Sequence, residues 1–267
     1  MLIKRRISIV TRKTLFTLVV LTLALGIFNT AAVGQTAEVK EKPAMYTYVA
    51  DWQLPRAQWA ELEKSRATTQ PILDKALANG TLVGFGSDQA LVHQPDGATH
   101  DEWWSATSMA NILNVLDQIY KSGSPTSSVL SSATKHWDNI YVSRYYNWKP
   151  GTYKDAYTHA SSYKLKADAP DDAVATLSKN LVAPLLERML AEGAVVEYDI
   201  DTLAVHTQAP GTFYIFYITP NAEGIDKVTS AIQEALKASP LSGPAFGSMT
   251  DGSAHRDDLA RTTATYK

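Results

Sequence analysis

The sequence contains no cysteine. That excludes disulfides, thiolate nucleophiles and cysteine-ligated metals together. It also lacks the short motifs that carry common chemistries. There is no HExxH or HxH pair for a metal, and VGFGSD at 83–88 has neither the length nor the flanking context of a phosphate loop. AFGSMTDG at 245–252 does not have the spacing of a nucleophile elbow. A basic stripe is missing as well: 25 Lys and Arg stand against 27 Asp and Glu, for a net charge of −2. Nucleic acid is therefore not an expected partner, because phosphate neutralisation needs clustered cations.

What is present begins with a targeting pattern. Lys4, Arg5, Arg6, Arg12 and Lys13 precede an uncharged apolar run from Leu15 to Phe28, and small residues follow at Ala32-Val33-Gly34. That run is short of the roughly 20 residues a spanning helix needs. Residues 1–34 are expected to be a removed signal peptide, which makes the chain an exported, periplasmic or secreted protein with no membrane attachment after removal. Losing the segment's basic residues makes the remaining chain more acidic. About 230 residues then remain, enough for one large domain or two small ones.

An internal repeat decides between those two. PILDKALANGTLVGF (71–85) matches PLLERMLAEGAVVEY (184–198) at an offset of 113, and the match continues through Asp88/Asp201, His93/His206 and Thr99/Thr212 to Ile119/Ile232. Upstream, YTYVADWQLP (46–55) matches YTHASSYKLK (157–166) at offset 111; downstream, HWDNI (136–140) matches HRDDL (255–259) at offset 119. Several segments returning in one order indicate a duplicated unit whose length changes fall in loops. The expected domains are repeat 1 at 45–150 and repeat 2 at 155–267.

Each unit reads as strand, helix, hairpin, helix, strand. Tyr46 to Leu54 and Tyr157 to Leu165 are aromatic strands. Helices follow at roughly 56–79 and 171–192, split by Pro71 and Pro184 and ended by left-handed Gly80 and Gly193. Turn residues PDGA and QAPG join hairpin arms, and apolar residues at helical spacing (Ile112, Val115, Ile119; Ile225, Val228, Ile232) mark a second helix. SGSPTSSVLSSAT and SPLSGPAFGSMTDGS read as loops before the last strands, 139–148 and 259–266.

The order β-α-β-β-α-β, twice, is that of the split βαβ unit. The expected class is α+β: two tandem ferredoxin-like units whose antiparallel sheets pack face to face as a pseudo-dimeric barrel. In this the sequence resembles the dimeric α+β barrel superfamily in a fused, single-chain form, over about residues 45–267. The resemblance implies a pocket inside the barrel or between sheet and helices. The superfamily includes cofactor-free monooxygenases, muconolactone-type isomerases, haem-binding degradases and dismutases, and small stress-responsive proteins.

Candidate site residues come from the aromatic strands and the histidines. Tyr48, Trp52, His159 and Tyr163 alternate with small residues such as Thr47, Val49, Thr158 and Ala160. The aromatic set is expected to line the barrel as a ligand-binding wall, and the small set to pack under helices; an ordinary core is the alternative. His93 and His206 enter the hairpins and are candidate catalytic bases guarding the mouth, since imidazole titrates near neutrality. His136 and His255, each in a His-x-Asp step, are more readily explained by local hydrogen bonds. His100-Asp101-Glu102 replaces Phe213-Tyr214-Ile215, so a single active site would sit where the halves differ in this way. No cofactor or metal is expected. The expected function is binding of a small apolar or aromatic molecule by a monomer or weak oligomer. The alternatives are a cofactor-free monooxygenase- or isomerase-like enzyme using a pocket histidine, and a structural or interaction protein without a pocket.

Overall fold

The computed structural model describes residues 39–267, so the expected signal peptide lies outside the described residues. Residues Val39–Lys267 form one compact unit, and none of its helices is long and apolar enough to cross a membrane. Eight antiparallel strands close into a barrel: β1 (Met45–Gln53), β2 (Gly84–Ala90), β3 (His100–Ala106), β4 (Lys135–Trp148), β5 (Gly151–Lys164), β6 (Glu197–Leu203), β7 (Thr212–Thr219) and β8 (Arg256–Tyr266). Around the barrel they run β4-β1-β3-β2 and then β8-β5-β7-β6, the same relative order in each half of the chain. The halves join edge to edge, β2 on β8 and β4 on β6. The expected barrel is thus closed by hydrogen bonds at both seams into one continuous wall, which leaves no strand edge unpaired.

Helices cover the outside. In the first half these are α1 (Trp59–Ser65), α2 (Gln70–Ala78) and α3 (Met109–Lys121). In the second they are α4 (Ala173–Leu177), α5 (Ala183–Glu192), α6 (Ala222–Ala238) and α7 (Ser242–Met249). The first helical segment of each half is broken near its proline, by a 3-10 turn at Arg66–Thr68 and a π turn at Ser178–Val182, because proline lacks the N–H that would continue the ladder. Gly80 and Gly193 follow the helix ends at φ of +80° and +77°, a conformation in which a side chain would be strained. Ser108 and Asn221 cap α3 and α6. The stretch at 239–253 is not wholly a loop: α7 forms there because Phe246 finds Tyr163 and Phe213 to pack on, and tertiary contact overrides its glycine and proline content.

Two outer cores hold helices to wall. One joins Tyr48, Ala50, Trp52, Phe85 and Trp104 to Leu62, Leu73, Ile112 and Val115; the other joins Tyr198, Ile200, Phe213 and Tyr217 to Leu177, Leu186, Met189 and Val228. Side chains alternate across a strand, so the partners of these residues point into the barrel. That alternation positions the site.

Candidate functional site: an acidic cavity inside the barrel

A cavity of about 550 Å³ lies inside the barrel, within the range of small-molecule pockets. Its floor is aromatic. Trp103 and Tyr266 approach at 5.7 Å between ring centroids and belong with Ala156, Val196, Ile218 and Ala264 to an inner apolar cluster. Gly84 and Gly86 on β2 make room for these rings: a Cβ would lie 2.4 Å from Tyr266 and 2.4 Å from Trp103, respectively. One wall carries Tyr141, Tyr214 and Phe216 in mutual ring contact at 4.9–5.8 Å. The lining extends to hairpin residues Gln94, Gly97 and Gln208 and to Arg256, all at least partly solvent-exposed, so the mouth is at that end.

Between floor and mouth the walls carry carboxylates. Asp51, Asp101 and Asp88 are direct cross-strand neighbours on β1, β3 and β2. Glu197, Asp199 and Asp201 occupy every second position of β6. All six line the cavity, together with Asp258 toward its mouth. Among the described residues no salt bridge is made by any of the seven. Arg66, the nearest cation to Asp101, bonds its backbone carbonyl at 3.4 Å and pairs instead with Glu102 on the outer face.

Burial without a countercharge raises a carboxyl pKa, and like charges raise it further. Asp51 is pushed up to about 7 by burial, opposed by an Asn139 amide at 3.4 Å and helped by Asp138, Asp258 and Asp88. Asp199 is also pushed up to about 7 by burial. Asp101, Asp201 and Glu197 are raised further, by burial first and by neighbouring carboxylates second. Asp88 is raised by burial but held back, because Thr262, Asp101 and Thr158 hydrogen-bond to it. The cavity thus holds protons that it shares, and opposed like charges need not all coexist.

The expected ligand-binding residues lie elsewhere. Tyr48 and Trp52 are buried in the core under α1–α3. His159 stacks on Tyr217 at 5.0 Å, a residue of the other outer core. Of the four, only Tyr163 borders the cavity, and its ring is sandwiched by Phe213 and His255. The alternation has the expected period and the opposite sign: Thr47, Val49, Asp51, Thr158, Ala160 and Ser162 face inward. Both faces of a helix-covered barrel are dry, so aromatic content does not mark the inside.

The histidines are no closer to acting as pocket bases. His93 and His206 are exposed in their hairpins, and neither lines the cavity; His93 stacks on Trp59 at 5.5 Å. His136 takes the Asp51 carbonyl at 2.8 Å and lies flat on Trp52, while its partner in the repeat, His255, takes the Ser162 carbonyl at 3.1 Å and lies flat on Tyr163. Their ring Nε2 atoms approach Asp138 and Asp257. His100 does border the cavity, but burial, with Arg66 and His93 nearby, pushes it down to about 4. The carboxylates were the signal passed over. Glu197-x-Asp199-x-Asp201 places an acid at every second residue of a strand, and Asp101 belongs to the segment where the halves differ. Among the described residues, no group of three or more His, Asp and Glu is placed to hold a metal ion.

No protein-family model matches the sequence, and no curated protein sequence does so significantly. Solved structures do match the fold. A candidate monooxygenase from Fusobacterium nucleatum superposes with a TM-score of 0.61 at 10% identity, covering 84% of this chain and 95% of that one. A candidate monooxygenase from Lactobacillus acidophilus gives 0.57 at 10% identity, covering 84% and 96%. An anthrone oxidase-like protein gives 0.51 at 10% identity, covering 85% and 94%. At this identity the likeness establishes fold alone. The chain is an α+β protein with a closed eight-stranded antiparallel barrel, a fold it shares with these structures.

Proposed function

We propose that the protein binds a small molecule inside its barrel. One observation carries this reading: a cavity of about 550 Å³ whose wall holds buried carboxylates that no cation of the described chain pairs. Such groups cost stability, and a fold that keeps several of them around an open volume has a use for them there. The aromatic body expected of the ligand finds Tyr141, Tyr214 and Phe216; a wholly apolar ligand would strip water from the acids and return nothing. The matching strand orders of the two halves support the reading of residues 45–150 and 155–267 as two fused ferredoxin-like units. Export by residues 1–34 and action as a monomer complete the proposal. Native mass spectrometry of the protein purified from its own host tests it. A bound mass of a few hundred daltons is expected, and a uniformly ligand-free chain would overturn it.

A second reading is favoured by Asp51. Half-buried toward the mouth and raised to about 7, it is matched to general-base work near neutrality. It could take a proton from an activated C–H or O–H lying against Tyr141 and Tyr214. Two structural neighbours are named as monooxygenases and a third as anthrone oxidase-like. With dioxygen as oxidant, a deprotonated CH₂ centre becomes C=O, one oxygen atom entering the product and the other leaving as water. The base here is a carboxylate, in place of the pocket histidine expected from sequence. Dioxygen uptake with an anthrone probe, lost in Asp51→Asn, is the expected result; uptake unchanged in that variant would end this reading.

A further inference from the structure

We propose that the β6 column of acids is the seat of a protonated amine, so that the barrel's ligand is a small organic cation: an ammonium group on an aromatic body. This rests on the barrel being a small-molecule site and names the chemistry of what enters it.

The argument begins with oxygens that have no partner. Asp201 is 1% exposed and faces the cavity, yet neither of its carboxyl oxygens has a hydrogen-bond partner among the described residues; nor does Asp199 Oδ1. Ser143 stands beside Asp201, but it can donate its one proton to the Ile200 carbonyl at 2.9 Å. Buried polar atoms are almost always satisfied, and several acceptors converging on one open volume call for a donor from outside the chain. An ammonium has three donors and no acceptor. It fits a cavity wall that offers acceptors in excess.

Charge points the same way. The basic groups in the lining are Arg256 and Lys164. Arg256 is exposed and directs its guanidinium to the Ser253 and His255 carbonyls. Lys164 ends β5 on the mouth side, its Cα partnered with Thr212. His100, the only imidazole in the lining, is held neutral by burial near neutral pH. The interior therefore offers an anionic ligand no countercharge of its own. A point-like metal ion is a poorer match than an organic cation. Among the described residues no group of three or more His, Asp and Glu is placed to hold a metal ion. Tyr214 and Phe216, cross-strand partners of Asp201 and Asp199, add π faces that attract cations.

The two halves of the chain show that the column is not imposed by the fold. At the positions matching Glu197 and Asp199 in the repeat the first half has Gly84 and Gly86, whose lack of side chains admits Tyr266 and Trp103. The same strand thus builds an aromatic floor in one half and an acidic wall in the other. Together they form opposite sides of a site for an aromatic ammonium.

The experiment is calorimetric titration of the intact, signal-free chain at pH 7 with tyramine, 2-phenylethanol and phenylacetate. Tyramine is expected to bind one per chain, at least tenfold more tightly than the neutral alcohol, with phenylacetate excluded. Repeating the titration in buffers of different ionisation heat should show proton release on binding, because the ammonium draws protons off shared carboxyls. Asp199→Asn and Asp201→Asn, close to isosteric and checked for fold by near-UV circular dichroism, should each weaken tyramine tenfold or more and leave 2-phenylethanol unchanged. Equal affinity for tyramine and the alcohol would overturn the ammonium seat while leaving the barrel a small-molecule site. Tyramine binding unaltered in both Asn variants, or no binding of tyramine at millimolar concentration, overturns the seat as well. The barrel reading itself stands or falls on the mass of the host-purified protein.

Discussion

Asp51 and Asp101 stand directly opposite each other on β1 and β3, with both side chains lining the cavity. Like charges at directly opposed positions destabilise a sheet, and Asp88 extends the row on the other side of Asp101. The fold tolerates this arrangement by keeping protons on it. Each further consequence of the acidic interior can be measured.

The first is a stability that falls as pH rises. Asp51 and Asp199 titrate near 7 in the folded protein and near 4 when unfolded. Between those values the folded state holds more protons, so the stabilisation present below about pH 4 is lost progressively up to about pH 7. Asp96 and Asp251 are shifted downward and act in the opposite sense below pH 4, but both are on the surface; His100, pushed down to about 4, opposes the trend between about pH 4 and 6.5, one group against two. Melting temperature should drop by roughly 5–10 °C from pH 4.5 to pH 7.5. In Asp199→Asn that slope should be shallower.

The aromatic floor depends on two missing side chains. Gly86→Ala would drive a Cβ into Trp103, and Gly84→Ala one into Tyr266. Overpacking of this kind costs about 1–3 kcal/mol, to be read from urea midpoints at unchanged m-value.

Trp52 separates the two assignments of the β1 faces. It is 7% exposed and sits in the core under the helices, so Trp52→Ala should cost about 3–5 kcal/mol. Because it does not line the cavity, Trp52→Phe, which keeps most of the packing, should leave ligand affinity within twofold. A large affinity loss in Trp52→Phe would restore the aromatic set as the binding wall.

His136 and His255 close equivalent corners, each joining the start of a last strand to its own half's first strand. Replacing either with Ala removes one hydrogen bond and one ring contact. The expected loss is about 1–2 kcal/mol of stability, read by denaturant unfolding. Ligand affinity should not change.

Much of the frame was legible because it is local chemistry. Gly80 and Gly193 end helices through backbone freedom, Pro71 and Pro184 break them through a missing N–H, and His-x-Asp ahead of the last strand marks a matching corner in each half. Such features are decided within a few residues and can be read locally, along with the order of strands and helices. The 239–253 segment escaped because α7 exists for Phe246, whose partners Tyr163 and Phe213 are remote in sequence.

Which side of each strand faces the cavity depends on how the barrel closes. Period-two alternation in β1 separates Tyr48 and Trp52 from Val49 and Asp51, but its sign is invisible when helices cover one face and the barrel encloses the other. Closing the wall through β2–β8 and β4–β6 turned the small and acidic set inward. That closure brought Asp51, Asp101 and Asp88 from one half of the chain into the same low-dielectric space as Glu197, Asp199 and Asp201 from the other. Each carboxylate is unremarkable in sequence, and its pKa is raised because closure removes its water, brings like charges close and pairs it with no cation.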